Sequence, residues 1–158
     1  EWEMSTQEVE SLGVRRIILR IGGVVMSLKG GSLPMLLFPF KFYLGGPLGD
    51  GSQWMSWIHI HDLTRAILFL IKHPEASGAY NICAPHPLTN KQLASTIGKI
   101  MHKPSFLPIP KFMFKFILGE KSSILLSSQK QIPEKLLKLG FDFKYPQAED
   151  ALRNLLKI

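Results

Sequence analysis

Cysteine is nearly absent from this sequence of 158 residues, which contains only Cys83. A single cysteine excludes an internal disulfide and indicates a reducing compartment, such as the cytoplasm or an organelle matrix. No apolar run reaches the roughly 18 residues of a membrane-spanning helix, and the first ten residues lack the apolar core of a signal peptide. We therefore expect no membrane partner.

The sequence also lacks the motifs that mark many active sites. It contains no Gly-x-Gly-x-x-Gly turn, no Gly-x-Ser-x-Gly motif, and no lysine four residues after any of its three tyrosines. The glycine-rich stretch at 45–51 is not followed by Lys-Ser or Lys-Thr, so it is not a P-loop. The motifs alone therefore provide no complete catalytic constellation.

Positive charge is concentrated in one part of the chain. The net charge is +7 at pH 7, and residues 91–144 carry ten lysines against three acidic residues. Such a segment can contact phosphates or other anionic ligands, but a solvated lysine-rich surface is the ordinary interpretation. Because the segment has no arginine cluster and no RNA-binding signature, no nucleic-acid partner is predicted.

Hydrophobic patterning predicts strands that alternate with helices, which is typical of the α/β class. Asp62 is the predicted N-cap of the helix that follows it, and Thr89 with Gln92 matches a capping box. Gly13 is predicted to end a helix over 3–12, and Ser32 to begin another. Strands are predicted at 15–21, 53–60, 79–84 and 141–145, and further helices at 63–71, 90–102, 111–118, 133–139 and 147–156.

Two histidines lie two residues apart in the predicted strand at 53–60. His59 and His61 would then point to the same face of the sheet, and with Asp62 they could offer ligands to zinc. No other ligand cluster is visible and Cys83 is single, so no metal site is predicted. The alternative is structural: His61 and Asp62 begin the next helix, and His59 lies at the end of the strand.

Gly22 and Gly23 directly follow the predicted buried strand at 15–21. A glycine at the carboxyl end of a parallel strand lets a ligand approach the backbone, and α/β sheets bind ligands at this edge. The pair is therefore a candidate ligand-binding turn.

Four segments are similar to successive motifs of one family. They are LRIGGVV (19–25), LGGPLGDGSQWMSWIHIHDL (44–63), GAYNICAPHPLTNKQLA (78–94) and ILLSSQKQIPEKLLKLGFDFKYP (124–146). Over essentially its whole length, the chain resembles the epimerase-family proteins, sugar-nucleotide epimerases of the extended and atypical short-chain dehydrogenase/reductase superfamily. The resemblance implies an α/β fold: the C-terminal part of an NAD(P)-binding Rossmann-like fold plus a small α+β C-terminal substrate domain.

The resemblance also implies a division of the chain at residue 83. Residues 1–83 would form the Rossmann portion, with a substrate-loop insertion at about 27–57, and residues 84–158 the small C-terminal domain. In full-length members, the cofactor glycine motif and the Tyr-x-x-x-Lys segment precede the part that this chain matches. We therefore expect a C-terminal half that is inactive alone, binds little NAD(P), and self-associates through an exposed sheet edge.

The resemblance assigns the cofactor contacts to the turn after the first predicted strand. This turn lies near the nicotinamide end of NAD(P) in the family, and its candidate residues are Arg20, Gly22, Gly23 and Val24. Related extended reductases often have an asparagine where this chain has Gly23, so the usual polar contact at that position is absent.

The substrate-cleft candidates implied by the resemblance are Trp57, His59 and Asn81, and the implied substrate is a small molecule such as a nucleotide sugar. Members of this subgroup tend to lack the full Tyr/Lys pair, which puts epimerase chemistry in doubt even for the complete protein. The competing hypothesis is a non-enzymatic binding or protein-interaction module. In that case the apolar stretch at 106–119 would face a partner rather than a core.

Overall fold

The computed structural model describes residues 2–109 and 128–158. In these ranges, strands and helices alternate along much of the chain, which confirms the predicted α/β class. The strands are β1 (Ile17–Ile21), β2 (Val24–Met26), β3 (Trp54–Met55), β4 (Trp57–His59), β5 (Gly78–Ile82) and β6 (Leu88–Thr89). The helices are α1 (Leu33–Lys41), α2 (Ile60–Lys72), α3 (Asn90–Met101), α4 (Glu134–Lys138) and α5 (Ala148–Leu156). The predicted helix at 111–118 lies outside the described residues.

The strands of the described part form three pairs. β1 and β5 run parallel, with Arg20 opposite Asn81. β2 and β4 are also parallel, with Val24 opposite Trp57, whereas β3 and β6 are antiparallel. Parallel strands require a crossover connection, and helices α1 and α2 lie within the crossovers from β2 to β4 and from β1 to β5.

Strand β4 separates two hydrophobic cores because successive side chains of a strand point to opposite faces. Trp57 packs into the first core, which is formed mainly by β2 and helices α1, α3 and α5. Ile58 packs into the second core, with α2, β5 and the aromatic residues Phe141 and Phe143. Residues 136–143 therefore pack against elements from the first half of the chain.

The C-terminal end of α2 is held by one arginine. The guanidinium of Arg15 donates hydrogen bonds of 2.9–3.1 Å to the carbonyl oxygens of Leu70, Ile71, His73 and Ala76. The last carbonyl groups of a helix have no partner inside the helix, and a cation is favoured at this end of the helix dipole. Arg15 thereby fixes the end of α2 beside the start of β1.

The start of α2 differs from the prediction that Asp62 caps the helix. The N-cap is His59, whose Nδ1 accepts a hydrogen bond of 3.0 Å from the backbone N–H of His61. Asp62 lies inside the first turn and is fully buried. Since the helix begins at Ile60, His59 and His61 do not share a strand face, and their ring centroids are 6.4 Å apart.

Three other predicted elements are corrected. The strand predicted at 53–60 is two short strands interrupted at Ser56, because the Ser56 side chain and carbonyl bond to other segments. Residues 141–145 form no strand, since Asp62 accepts the N–H groups of Lys144 and Tyr145. The helix expected over 3–12 is reduced to a 3-10 turn at Gln7–Glu10. None of the helices in the described ranges is long and apolar enough to cross a bilayer.

Candidate functional site

The turn between β1 and β2 is built around a glycine that no other residue can replace without strain. Gly23 has a φ of +62°, a conformation that disfavours side chains, and a Cβ there would overlap the carbonyl oxygen of Ser56. The same carbonyl accepts a hydrogen bond of 2.8 Å from the N–H of Val24. Gly23 thus allows the turn to lie directly against the backbone between β3 and β4.

A C-terminal segment, residues 128–132, lies across this turn and is attached by Ser56. The Ser56 hydroxyl donates a hydrogen bond of 2.8 Å to the carbonyl of Gln129 and accepts one of 2.8 Å from the N–H of Gln131. Trp54 extends the attachment, since its N–H donates to Ser128 Oγ and its carbonyl accepts from the N–H of Gln129, both at 3.1 Å. The segment therefore continues the edge of β3.

Gln131 occupies the space beside Gly22. A Cβ at Gly22 would overlap the Gln131 amide oxygen, so the absence of a side chain at position 22 gives the glutamine its place. This oxygen is buried and has no hydrogen-bond partner among the described residues. The Gln131 Nε2 group donates a long hydrogen bond of 3.4 Å to the side chain of Gln129. A buried acceptor without a partner is costly and therefore unusual in a protein.

An open cleft of about 500 Å³ lies next to this turn. Arg20 and Asn81 face each other across β1 and β5 and line one side of it. The amide of Asn81 donates a hydrogen bond of 3.3 Å to the carbonyl of Ile132, which holds the 128–132 segment on this side as well. The other side is lined by Lys130, Gln131, Ile132, Glu134 and Lys135.

The cleft is lined by more cations than acids. Arg20 is exposed and pairs with the carboxylate of Glu3 through two hydrogen bonds of 2.7 Å, and this bonding lowers the pKa of Glu3. The ammonium group of Lys130 lies 4.1 Å from the ring centre of Trp54, and that of Lys135 lies 5.3 Å from the ring centre of Tyr80. Aromatic faces attract such cations and favour these positions.

Val24 and Trp57 lie below the turn rather than in the cleft. Both side chains are buried in the first core, and Trp57, which is only 1% exposed, donates its indole N–H to the carbonyl of His86 at 2.9 Å. Trp57 therefore supports the wall behind the turn. The Val24 N–H donates its hydrogen bond to the Ser56 carbonyl, so it is not available as a donor to a ligand.

His59 is buried as well, with 3% of its surface exposed. Its ring lies against Tyr145 with centroids 4.2 Å apart, and burial lowers its pKa below the usual 6.5. The neutral ring caps α2 through Nδ1, so the ring proton is on Nε2. In this position His59 is a structural cap of α2.

No nucleophile or metal cluster accompanies these residues in the described ranges. Burial raises the pKa of the Cys83 thiol to about 11, so it is not a thiolate at neutral pH. No three His, Cys, Asp or Glu side chains lie close enough to hold a metal ion within residues 2–109 and 128–158. The arrangement can position a ligand at the carboxyl edge of β1, where its polar and cationic groups converge.

The structure thus divides the sequence-predicted candidates. Arg20, Asn81, Gly22 and Gly23 come together around the cleft and turn, whereas Val24, Trp57 and His59 are buried behind them. The sequence reasoning did not single out Ser56 or Gln131, because their roles depend on contacts 73 and 75 positions apart in the chain. The only local signal was the placement of Ser56 between two strand-forming dipeptides.

Parallel β-pairs joined by helical crossovers, with a glycine turn at a strand end, are typical of Rossmann-like α/β proteins. Two family models match the chain: "NAD dependent epimerase/dehydratase family" over residues 41–83 and "Domain of unknown function (DUF1731)" over residues 109–155. The epimerase family protein SA0724 of Staphylococcus aureus is 44% identical over 157 residues, which cover 99% of this chain and 52% of that protein. The chain therefore spans about half the length of the curated relatives that it matches.

Solved structures give the same result. Human epimerase family protein SDR39U1 (isoform 2), crystallised with NADPH, aligns with a TM-score of 0.84 and 32% identity, covering 91% of this chain and 49% of the human one. The nucleoside-diphosphate sugar epimerase from Corynebacterium glutamicum aligns with a TM-score of 0.74 and 30% identity, covering 98% and 29%. Over the part that it spans, the chain is similar in sequence to epimerase family proteins, and its fold is similar to that of Rossmann-like epimerases.

Proposed function

We propose that this chain supplies the nicotinamide side and one cleft wall of an NAD(P)-dependent sugar-nucleotide epimerase or reductase-like protein. The observation that carries the proposal is the turn at Gly22 and Gly23, which lies at the carboxyl end of β1 beside the cleft. The glycines let Gln131 and the Ser56 backbone pack against this turn, and open α/β sheets bind nucleotides at this edge.

The residues of this chain fit part of a dinucleotide. The turn and the unpartnered Gln131 oxygen suit the polar end of a nicotinamide, and Arg20 and Asn81 border the space beyond it. The cofactor phosphates require a glycine turn at a helix N-terminus, and this sequence contains no Gly-x-Gly-x-x-Gly. When bound, the nicotinamide supplies hydride transfer, for which this chain provides position and shielding from water.

The proposed substrate is a nucleotide sugar with a negatively charged diphosphate. Lys130 and Lys135 supply positive charge along the cleft, which attracts an anion, whereas the charge of Arg20 is paired with that of Glu3. Because a Tyr-x-x-x-Lys pair is also absent from this sequence, the chain has no proton relay of its own and is inactive alone.

Calorimetry with NADPH tests the proposal. We expect no measurable binding to this chain alone. Binding should appear when the chain is co-produced and purified with the portion of the S. aureus relative that it does not match. Micromolar binding by the chain alone would overturn the claim that it is incomplete, and no binding by the purified assembly would overturn the cofactor role.

The proposed binding of a nucleotide sugar is tested separately, in the same assembly. Replacing Lys130 and Lys135 with alanine should weaken the binding of UDP-glucose about tenfold at low salt, with a smaller effect at high salt because screening reduces such attraction. Lys138→Ala is the matched control, since Lys138 is on α4 but does not line the cleft. If Lys138→Ala weakened UDP-glucose binding as much as the changes at Lys130 and Lys135, the result would contradict a nucleotide-sugar site in this cleft.

A second candidate function, a non-enzymatic interaction module, is supported by an exposed apolar cluster at the end of α1. Phe38, Phe42 and Leu44 are each about 60% exposed, and the two phenylalanine rings lie 5.1 Å apart. Clustered exposed apolar side chains are typical of contact surfaces. If this is the principal function, replacing Phe38 and Phe42 with serine should abolish binding to the partner protein. Replacing the cleft lysines Lys130 and Lys135 should leave that binding unchanged.

A further inference from the structure

Gln131 is the one residue of the cleft whose buried side-chain oxygen has no partner in the described part of the chain. Its position is fixed from two directions. The Gln131 N–H donates to Ser56 Oγ at 2.8 Å, and the Gln131 side-chain amide lies in the space left open by Gly22. The amide oxygen is therefore held against the glycine turn.

The environment of this oxygen indicates what it binds. Leaving a buried acceptor unpaired costs about 1–3 kcal/mol, so this oxygen calls for a donor from outside the described residues. A carbonyl oxygen accepts a hydrogen bond and cannot donate one. The missing partner is therefore an N–H or O–H donor that enters at the carboxyl end of β1, beside Arg20 and Asn81.

We infer that Gln131 is a specificity-determining residue that accepts a hydrogen bond from the carboxamide of the nicotinamide ring, with Ser56 as its positioning residue. This inference rests on the proposed function and deepens it by naming the side chain that recognises the nicotinamide ring. Ser56 acts only through Gln131, because its hydroxyl is used by the backbone of the 128–132 segment and does not reach the cleft.

The test compares two ligands in the co-produced assembly described above. NADPH carries the nicotinamide ring, and 2′-phospho-ADP-ribose is the same molecule without it. Gln131→Met keeps the length and shape of the side chain but removes the acceptor. We expect it to weaken NADPH binding by about fivefold to tenfold, the usual value of one hydrogen bond, and to leave 2′-phospho-ADP-ribose binding unchanged.

Two further variants separate the specific role from a general loss of structure. Gln147→Ala makes a change in an exposed glutamine at the start of α5 and should alter neither affinity. Ser56→Ala should weaken NADPH selectively, and this loss should disappear in the Gln131→Met background because Ser56 then has no acceptor to position.

Each result decides the inference. Selective loss of NADPH affinity in Gln131→Met supports it. Equal loss of both ligands, or no loss of either, overturns the role of Gln131 while leaving the proposed function intact. No NADPH binding by the unsubstituted assembly overturns the proposed function together with the inference that rests on it.

Discussion

At the scale of single residues, Gly22 and Gly23 are required for different reasons. Gly23 is required by its own backbone, since its φ is +62° and a Cβ would meet the Ser56 carbonyl. Gly22 is required by a neighbour, because the space of its missing side chain is filled by the end of Gln131. The requirement for glycine at position 22 depends on Gln131, so a smaller side chain at position 131 should remove it.

We predict that Gly22→Ala lowers the free energy of unfolding by about 1 kcal/mol, at the low end of overpacking costs, because the added methyl group displaces only the flexible end of Gln131. In a chain that already carries Gln131→Ala, the same change should cost less than about 0.5 kcal/mol. Urea unfolding of the four proteins in this double-mutant cycle measures the coupling. Equal costs in both backgrounds would show that Gln131 does not occupy this space.

His59 gives the stability of the chain a dependence on pH. Its pKa lies below 6.5 because burial disfavours the charged ring, so the unfolded chain takes up a proton at His59 before the folded chain does. The stability that depends on neutral His59 is therefore present above about pH 6.5. It is lost as the pH falls from there through the folded-state pKa, because a protonated Nδ1 cannot accept the N–H of His61.

His59→Asn should flatten this pH dependence, since asparagine caps a helix well without titrating. We expect the stability difference between pH 7.5 and pH 5 to shrink by about 1 kcal/mol in the variant, as measured by urea unfolding at each pH. The control is His102→Asn at the left-handed C-cap of α3, a conformation that asparagine tolerates. A pH profile that is unchanged by His59→Asn would refute the capping role.

At the scale of elements, helix α2 holds the C-terminal residues 142–145 through the Asp62 carboxylate and through Arg65, which donates a hydrogen bond of 2.9 Å to the Asp142 carbonyl. Asp62 Oδ1 accepts the N–H of Lys144 at 3.1 Å and also the Arg65 guanidinium at 3.1 Å, while Oδ2 accepts the N–H of Tyr145 at 2.8 Å. Because these residues are not in a strand, the carboxylate replaces the hydrogen bonds that a sheet would have supplied. Phe143 is thereby kept in the second core.

Asp62→Asn should destabilise the chain by about 1–3 kcal/mol, because one of the two backbone donors would then face an N–H₂ group. Amide hydrogen exchange should show faster exchange at Lys144 and Tyr145 than at α3. Asp142→Asn, a change of the same kind at an exposed position, should alter neither quantity. Unchanged protection at residues 144 and 145 would mean that other contacts hold this segment.

The elements also show which parts of the fold the sequence could predict. Thr89 and Gln92 form the expected capping box of α3, with hydrogen bonds of 2.8 and 3.2 Å, because every partner lies within four residues. Asp62 looked like a cap for an equally local reason, but the backbone N–H groups that it accepts are 82 and 83 positions away. No local pattern encodes such a contact, so the strand at 141–145 was predicted wrongly as well.

The same limit applies to the candidate site. Gly22 and Gly23 were predicted from the end of a buried strand, a pattern that is visible in a few consecutive residues. Gln131 was not predicted, since glutamine in a polar segment is unremarkable until the fold brings it to Gly22. The roles of Trp57, His59 and the division at residue 83 remain predictions from the family resemblance.

At the scale of the whole molecule, β1 is hydrogen-bonded to β5 on one side, and no other strand of the described part pairs with it. Ile21, at the end of β1, is 48% exposed. An open strand edge with exposed apolar side chains promotes pairing between chains. We therefore expect the isolated chain to associate as its concentration rises, and sedimentation velocity measures this directly.

Ile21→Lys should reduce this association, because a charge at the strand edge opposes pairing. The matched control is Leu68→Lys, which changes an exposed leucine on α2 away from that edge and should leave the association unchanged. A monomer at every concentration, in the unsubstituted chain, would contradict the open-edge interpretation.

The attachment of the 128–132 segment to Ser56 has a consequence for the order of folding. Both parallel strand pairs are complete once residue 82 has been synthesised, whereas Gln131 reaches the glycine turn only after the ribosome has added the later part of the chain. Contacts between such distant residues form late, because the entropic cost of closing the intervening loop comes before the contacts can stabilise the chain. A nascent chain can thus possess both strand pairs while the side chain that fills the space beside Gly22 is still missing, so the glycine turn is completed only after residue 131 has left the ribosome.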